Sequence, residues 1–377
     1  MYCRSFRLII TAVFLLVACS PDSAKENPPT AISIPLATVA SVPATQTPTV
    51  VPATQTPASQ SILATEWPSQ LEIIQSGNWA RLQLLKTFPA EMPLKNSAVA
   101  ISPDGKTMAV GSSSGARIFF FGLPSGQLLQ VVPINLSDVG EYFNIVGMEY
   151  LPDGTIMANS NGPYMIYHID SAGNVLFAWD GVSFAISADK RMMAYDEEGI
   201  TLVEIMNHTP LFSLEDGGAM YFSFSPDGSK IAAENIGVDY LYTDIWDIQN
   251  KTPLTTLDET SNPRFSPDGK FLAVTKYDHE NNTTPVKIFS PDGATEITTL
   301  NVDEPNGLNN RAPLWSLDGS VIAAQIANGP PVAWDATSWQ PLEMPALQGE
   351  LYSFSPDGRI LITRTTDGGI LLWGIVP

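Results

Sequence analysis

Cysteine is nearly missing from this chain: among 377 residues only Cys3 and Cys19 are cysteines, and both lie at the extreme N-terminus. A disulfide framework and a thiolate metal site are thereby excluded from the body of the protein. Histidine is almost as scarce. His168, His208 and His279 are far apart in sequence, and each reads as a strand or loop residue rather than a metal ligand. Charged residues are only 15% of the chain, and the basic ones are the rarer kind, with 19 Lys and Arg against 39 Asp and Glu. The resulting net charge of −20 repels phosphate backbones, whose binding needs cationic neutralisation, so nucleic acid is not an expected partner. No Gly-x-Ser-x-Gly nucleophile elbow is expected, and a zinc-protease His-Glu-x-x-His pair, a phosphate-binding glycine loop and paired cysteines are lacking. No metal and no cofactor is implied. What remains is a chain with 44% hydrophobic residues, 27 Gly and 31 Pro, which suits an all-β protein dense in tight turns.

Residues 1–18 have the anatomy of an export signal. Arg4 and Arg7 form a short basic start, and residues 8–17 form an apolar stretch of about ten. That is too short for a spanning helix, which needs ~20 residues. The stretch ends in Leu16-Val17-Ala18-Cys19, which resembles the bacterial lipobox. The resemblance implies that Cys19 becomes the first mature residue and carries acyl chains. The protein is then expected in the bacterial cell envelope, on the extracytoplasmic side, touching the membrane through its lipid anchor only. Several acyl chains anchor stably where a single one is marginal. Loss of residues 1–18 leaves 17 basic residues against 39 acidic, a balance of −22.

Residues 19–65 read as a disordered tether. Val42-Pro43-Ala44-Thr45-Gln46-Thr47-Pro48 recurs as Val51-Pro52-Ala53-Thr54-Gln55-Thr56-Pro57, and no charge occurs between Glu26 and Glu66. Proline breaks helix and sheet, while Thr, Gln and Ala offer too little apolar surface to offset the entropy of ordering. Fully extended at ~3.1 Å per residue, the segment reaches roughly 140 Å.

Residues 66–377 are organised by a repeat. Ser102-Pro103-Asp104-Gly105 recurs as Ser225-Pro226-Asp227-Gly228, Ser266-Pro267-Asp268-Gly269 and Ser355-Pro356-Asp357-Gly358. Weaker copies begin at Leu151, Ser187 and Ser316, so the spacings run 49, 36, 38, 41, 50 and 39. Seven units of about forty residues result. The tetrad has the chemistry of a hairpin turn: Pro presets φ, Asp bonds nearby N–H groups and Gly takes a positive φ. An apolar position precedes each turn (Ile101, Tyr150, Ile186, Phe224, Phe265, Trp315, Phe354), and β-prone runs follow. Four short strands per unit are the pattern of a propeller blade. Ser290-Pro291-Asp292-Gly293 is also a full tetrad, but it falls only 24 residues after its predecessor. It aligns with Gln249-Asn250-Lys251-Thr252, and so reads as a later turn within blade five.

With Ile245-Trp246-Asp247, Trp334-Asp335 and Leu372-Trp373-Gly374 at the third-strand position, the units resemble WD40 repeats over about residues 78–377. The tetrad is shared with TolB-type propellers. The resemblance implies an all-β, seven-bladed β-propeller. The Gly-His pair that opens many WD40 repeats is lacking, so that family's buried His-centred hydrogen-bond network is not expected. The last unit has three strands before Pro377, and the orphan strand over residues 81–88 is expected to supply the fourth, closing the ring.

Candidate recognition residues come from the insertions, which fall in loops expected on one face: 133–146, 234–243, 277–284 and 301–311. Tyr142, Tyr240, Tyr242 and Tyr277 offer stacking surfaces, and Asp278, His279, Asn309 and Arg311 offer directional hydrogen bonds. Alternating oxygen ligands at Asp278, Glu280 and Asn282 keep calcium open as a subsidiary reading. Glu149 and Arg264 lie two residues before a turn, where other units have Ala, Ser or Leu, and are placed in the central channel. The resulting expectation is a monomeric, non-enzymatic platform for a protein or glycan ligand. An extracytoplasmic lyase or glycosidase working at the channel mouth, and an envelope assembly factor resembling TolB-type propellers, stay open as alternatives.

Overall fold

Serine turns out to be the keystone of the repeated turn. In seven tetrads the Ser Oγ donates to the Asp Oδ1 at 2.6–2.7 Å and accepts the N–H five residues on at 2.9–3.0 Å. Each Asp Oδ1 also takes the N–H two residues on, as Asp104 does from Lys106 at 3.1 Å. The glycines sit at φ between 67° and 74°, where an L-residue is disfavoured. The Ser hydroxyl and the Asp carboxylate thus tie the turn together locally, and the two strands leave it in antiparallel register.

The computed structural model describes residues 70–88, 98–112, 115–136, 143–197, 199–214, 219–276, 284–301, 308, 311–327 and 329–377. The chain divides into two units, Met1–Ser59 and Gln60–Pro377, and all of these residues belong to the second. Cys19 and the tether lie outside the described residues. The second unit is an all-β, seven-bladed propeller made of seven small antiparallel sheets. Five have four strands in simple inner-to-outer order, as in blade four: Ala219–Phe224, Lys230–Ile236, Leu241–Asp247 and Thr252–Asp258. The extra tetrad at Ser290 joins Val286–Phe289 to Glu296–Leu300 inside blade five, as its alignment predicts.

Blade seven is completed from the other end of the unit. Its chain-terminal strands are Glu350–Phe354, Ile360–Arg364 and Ile370–Gly374, and the outer place is taken by Gln83–Phe88. The register runs from Gln83 opposite Gly374 to Phe88 opposite Ile370, with a bulge between Leu84 and Lys86. Ahead of it a 3-10 helix, Ser76–Arg81, buries Trp79 and ties the segment down. Ile74 N–H bonds Gly358 O at 2.9 Å, and Ser76 N–H bonds Ser320 Oγ at 3.0 Å.

Blade six departs from the four-strand expectation. It has Leu314–Trp315, Val321–Gln325 and Pro331–Asp335 only. The outer position holds a single bridge between Trp334 and Pro341 and one bond from Leu342 N–H to Ala333 O at 2.8 Å. Pro341 and Pro345 have no N–H to donate, which stops a ladder from forming there. The indole of Trp79 covers the gap, donating to Met344 Sδ at 3.4 Å.

The core is a ring of seven apolar clusters, one at each blade boundary. Successive residues of a second strand serve opposite neighbours: Met193 and Tyr195 pack toward blade two, Ala194 toward blade four. Both faces of these strands are dry, so they read as continuous apolar runs rather than as strict alternation. Among the described residues, no helix is long and apolar enough to cross a membrane.

Candidate functional site at the channel mouth

Inner strands begin on the face opposite the Ser-Pro-Asp-Gly turns and run down the central channel. Four of them carry a bulge near that beginning: Ile145/Gly147 in blade two, Ala219/Tyr221 in blade four, Ser261/Arg264 in blade five and Leu351/Ser353 in blade seven. A bulge adds a residue to one strand and re-aims the side chains beside it. At this level a cavity of about 320 Å³ opens, lined by Val146, Tyr221, Arg264, Arg311, Gln325 and Tyr352 among others. Those residues come from blades two, four, five, six and seven, and only the channel is common to them.

Arg264 lines this cavity, whereas Glu149 is not among its lining residues. The Glu149 carboxylate acts on the Arg264 guanidinium, although blades two and five are not neighbours, so the interaction runs across the channel. Burial among protein atoms lowers the Arg264 pKa, and Glu149 and then Tyr221 draw it back up. The side chain nonetheless remains in contact with solvent. Among the described residues its guanidinium takes no hydrogen-bond or ion-pair partner. Its backbone is pinned, because Trp315 Nε1–H donates to Arg264 O at 3.3 Å. Glu149 is engaged by Lys190 Nζ from blade three. Lys190 stands where other tetrads have Gly, and keeps a positive φ of 61°.

The remaining polar groups of the mouth are largely committed. Arg311 pairs with Glu350 at 2.8 Å and donates to Leu351 O at 3.5 Å. Gln325 accepts from Leu351 N–H at 3.0 Å and donates to Gly329 O at 2.6 Å. Asn262, at φ 56°, gives its N–H to the buried Glu234 at 2.6 Å. Burial pushes the Glu234 carboxyl up, and that bond pulls it partly back. Tyr352 Oη accepts Val99 N–H at 2.9 Å, and its ring lies 4.1 Å from the Arg364 guanidinium. Nε and Nη2 of Arg364 are buried without a hydrogen-bond partner. Tyr221 is 47% exposed; burial of its hydroxyl end raises its pKa, helped by Glu234 and opposed by Arg264.

Of the residues singled out in the sequence, Arg264 and Arg311 line this cavity. Tyr240 is 48% exposed at the tip of the blade-four hairpin, where Gly237 N–H bonds Tyr240 O at 2.9 Å. Tyr242 is half-buried in the third strand of that blade, opposite Asn235. Residues 234–243, expected as a loop, are mostly this extended hairpin. Tyr142, Tyr277, Asp278, His279 and Asn309 lie outside the described residues. Tyr221, Tyr352 and Arg364 were missed by sequence reasoning. Their signal is an aromatic or cationic residue on an inner or second strand near its mouth end, and a count back from the repeat does not gather it.

A second polar cluster lies at the boundary of blades two and three. Asp153 Oδ1 accepts Thr155 Oγ1–H at 2.7 Å, which obliges His168 Nε2–H to donate to Thr155 Oγ1 at 2.8 Å. His168 Nδ1 then accepts His208 Nε2–H at 2.9 Å. The His208 ring stacks on Phe177 at 4.6 Å. A chain centred on a buried histidine therefore forms without the Gly-His pair, from two histidines distant in sequence. Burial lowers both imidazole pKa values; for His168 the neighbouring His208 adds to the fall and Asp153 opposes it. Among the described residues, no group of three or more potential side-chain ligands is placed to hold a metal ion.

One string, Gly111-Ser112-Ser113-Ser114-Gly115, spells the Gly-x-Ser-x-Gly of a nucleophile elbow. It lies between two strands, Thr107–Gly111 and Arg117–Gly122, whereas the elbow requires a strand followed by a helix.

No protein-family model matches the chain, and no curated protein matches it. Solved structures do. One is a chain described as Kuenenia stuttgartiensis Hydrazine Synthase, with a TM-score of 0.61 and 17% identity, covering 76% of this chain and 97% of that one. At that identity the likeness concerns the fold alone, and the fold it shares is the propeller.

Proposed function

We propose that this protein is a non-enzymatic recognition module. In this reading it is lipid-anchored through Cys19 on the extracytoplasmic side of a bacterial envelope, and carries its propeller on the 19–65 tether. The observation that carries the reading is the state of the carboxylates around the channel mouth. Glu149 is held by Lys190, Glu350 by Arg311, and Glu234 is buried under the Asn262 N–H. Cleaving a glycosidic bond calls for two carboxyl groups facing a common space at about 5–10 Å, one of them free to exchange a proton. The mouth offers cations and phenols to that space instead, a lining suited to holding a ligand. Tyr240 on its hairpin extends the same face outward, where a protein or glycan partner would make its wider contacts.

The test is crosslinking with affinity capture on intact cells, comparing wild type with a Tyr221→Ala, Tyr240→Ala, Arg311→Ala variant. Loss of the captured species in the variant is the expected result. Equal recovery from both would remove this face from consideration. Metabolic labelling with an alkynyl fatty acid, present in wild type and lost in Cys19→Ser, tests the anchor separately.

A further inference from the structure

We infer that the channel mouth binds a small, ring-bearing carboxylate, with Arg264 as the residue that receives the acid group. This rests on the reading of the mouth as a binding surface and supplies its ligand class.

The first support is a count of hydrogen-bonding capacity. The Gln325 amide is used up by Leu351 N–H and Gly329 O, and the Arg311 fork by Glu350 and Leu351 O. Tyr352 Oη has accepted Val99 N–H and retains its own proton. Among the described residues, Arg264 keeps all five N–H donors, and Tyr221 keeps its O–H. The strongest group left free toward the cavity is thus a charged donor, so the complementary ligand group is an acceptor.

The second support is charge. Lys190 pairs with Glu149 and Arg311 with Glu350, so among the described residues Arg264 has no ion-pair partner in the cavity, with Glu149 acting on it only at longer range, and Arg364 has none behind the Tyr352 ring. In a chain of net charge −20, the described side chains of this cavity thus leave one cation without an ion-pair partner. Partial desolvation there strengthens attraction for an anion. A free planar fork matches a carboxylate in bidentate fashion. With a single such fork in the cavity, and Glu149 acting on it from across the channel, one negative charge fits better than two.

The third support is size and surface. A volume of about 320 Å³ is at the small end of ligand pockets and holds about one ring with its substituent. The half-exposed Tyr221 ring supplies a flat apolar face beside the guanidinium, suited to an aromatic ring or the C–H face of a sugar. Benzoate and D-glucuronate present the same acid on these two kinds of ring.

Calorimetric titration of the full purified chain with benzoate and D-glucuronate tests the inference. Benzamide, methyl glucoside and inorganic phosphate serve as controls. Saturable binding of at least one acid is expected, with its neutral counterpart and phosphate at least about tenfold weaker. Which acid binds more tightly tells an aromatic from a sugar ligand. Arg264→Gln should weaken binding by about thirty-fold, the scale of a charge-assisted pair, while Arg264→Lys loses less. Neither change touches the bond from Trp315 to the Arg264 carbonyl, so both variants should melt with or above wild type. Tyr221→Ala, beside Arg264 in the cavity, provides a second variant and should weaken binding as well. Neutral compounds binding as tightly as the acids would overturn the inference. So would phosphate binding more tightly, unchanged affinity in Arg264→Gln, or silence from both acids. Silence from both acids, with cell capture still dependent on Tyr240 and Arg311, would sink the ligand class and leave the recognition face standing.

Discussion

Trp79→Ala is the substitution that most directly tests how this ring is closed. The indole is 1% exposed, the bulkiest of the fully buried side chains. It packs with Leu351, Leu371 and Trp373 at the boundary of blades six and seven, and its Nε1–H donates to Met344 Sδ at 3.4 Å. One side chain therefore covers the three-stranded blade and fixes the segment that enters the closing strand. Truncating a buried Trp to Ala costs about 3–5 kcal/mol through lost transfer energy and the cavity left behind. Whole-domain stabilities run to about 5–15 kcal/mol, so roughly a fifth or more of the total is at stake. At about 2 °C per kcal/mol for a domain this large, the melting temperature should fall by roughly 6–10 °C. Urea unfolding followed by both tryptophan fluorescence and far-UV circular dichroism is the assay. Because each blade is held by clusters on both sides, the two probes should shift together with an unchanged slope. Leu84→Ala serves as the control, since that side chain is 43% exposed on the closing strand and its loss should stay within about 0.5 kcal/mol. A Trp79→Ala protein that melts within 2 °C of wild type would show that the N-terminal segment does not hold the ring.

Two further predictions concern titration. His168 and His208 have folded pKa values below the unfolded value of about 6.5, so the unfolded chain binds protons more readily in that window. Their contribution to stability is present above about pH 6.5 and is lost as pH falls through the folded values. Urea midpoints should accordingly drop between pH 7 and pH 5 in wild type and drop less in a His168→Gln, His208→Gln variant, whereas equal slopes would assign the effect to other groups. Asp227 is pulled down to about 2 by Ser225 first and by Ser229 N–H. Its share of stability is present above about 3.8 and disappears only as pH falls through about 2. Ser225→Ala should move the Asp227 carboxyl resonance to titrate higher by carbon NMR, and an unmoved titration would mean that the serine does not hold the turn.

The seven-fold ring was legible because the tetrad encodes backbone geometry. Gly at positive φ and Asp bonding the following N–H groups work the same way wherever they occur, so their spacing counts blades. The closing strand was legible as a remainder, three strands at one end and one at the other. Blade six was not, because the signal for its missing strand is negative: Pro341 and Pro345 remove donors from a stretch that otherwise fits. Residues 234–243 were misread for the opposite reason. Glu234, Asn235 and Asp244 look like loop residues, yet they are buried: Asn235 Nδ2 donates to Asp244 Oδ2 at 2.9 Å and Glu234 takes the Asn262 N–H. Composition reports polarity, and only contacts report whether that polarity is satisfied inside. The histidine chain failed to show for a related reason. His168 and His208 are 40 residues apart, one repeat length, which in a propeller brings equivalent regions of adjacent blades together.

That last point also explains why only part of the channel mouth could be read. Counting back from each turn puts Glu149 and Arg264 in one column, two residues ahead, and the Glu149 carboxylate does act on the Arg264 guanidinium. Tyr221 is four residues ahead of its turn, Tyr352 three and Arg311 five, so the same count scatters them over different columns. All three nonetheless line one cavity. In a strand, a shift of one residue carries a side chain to the opposite face. The bulges account for little of that scatter: Tyr221 and Arg264 sit on the turn side of theirs, and only Tyr352 falls within its own. Arg311 lies ahead of the first strand of blade six, whose register has no bulge. Residues at odd and even distances from the turn therefore share one lining, and a count back from the repeat cannot gather them.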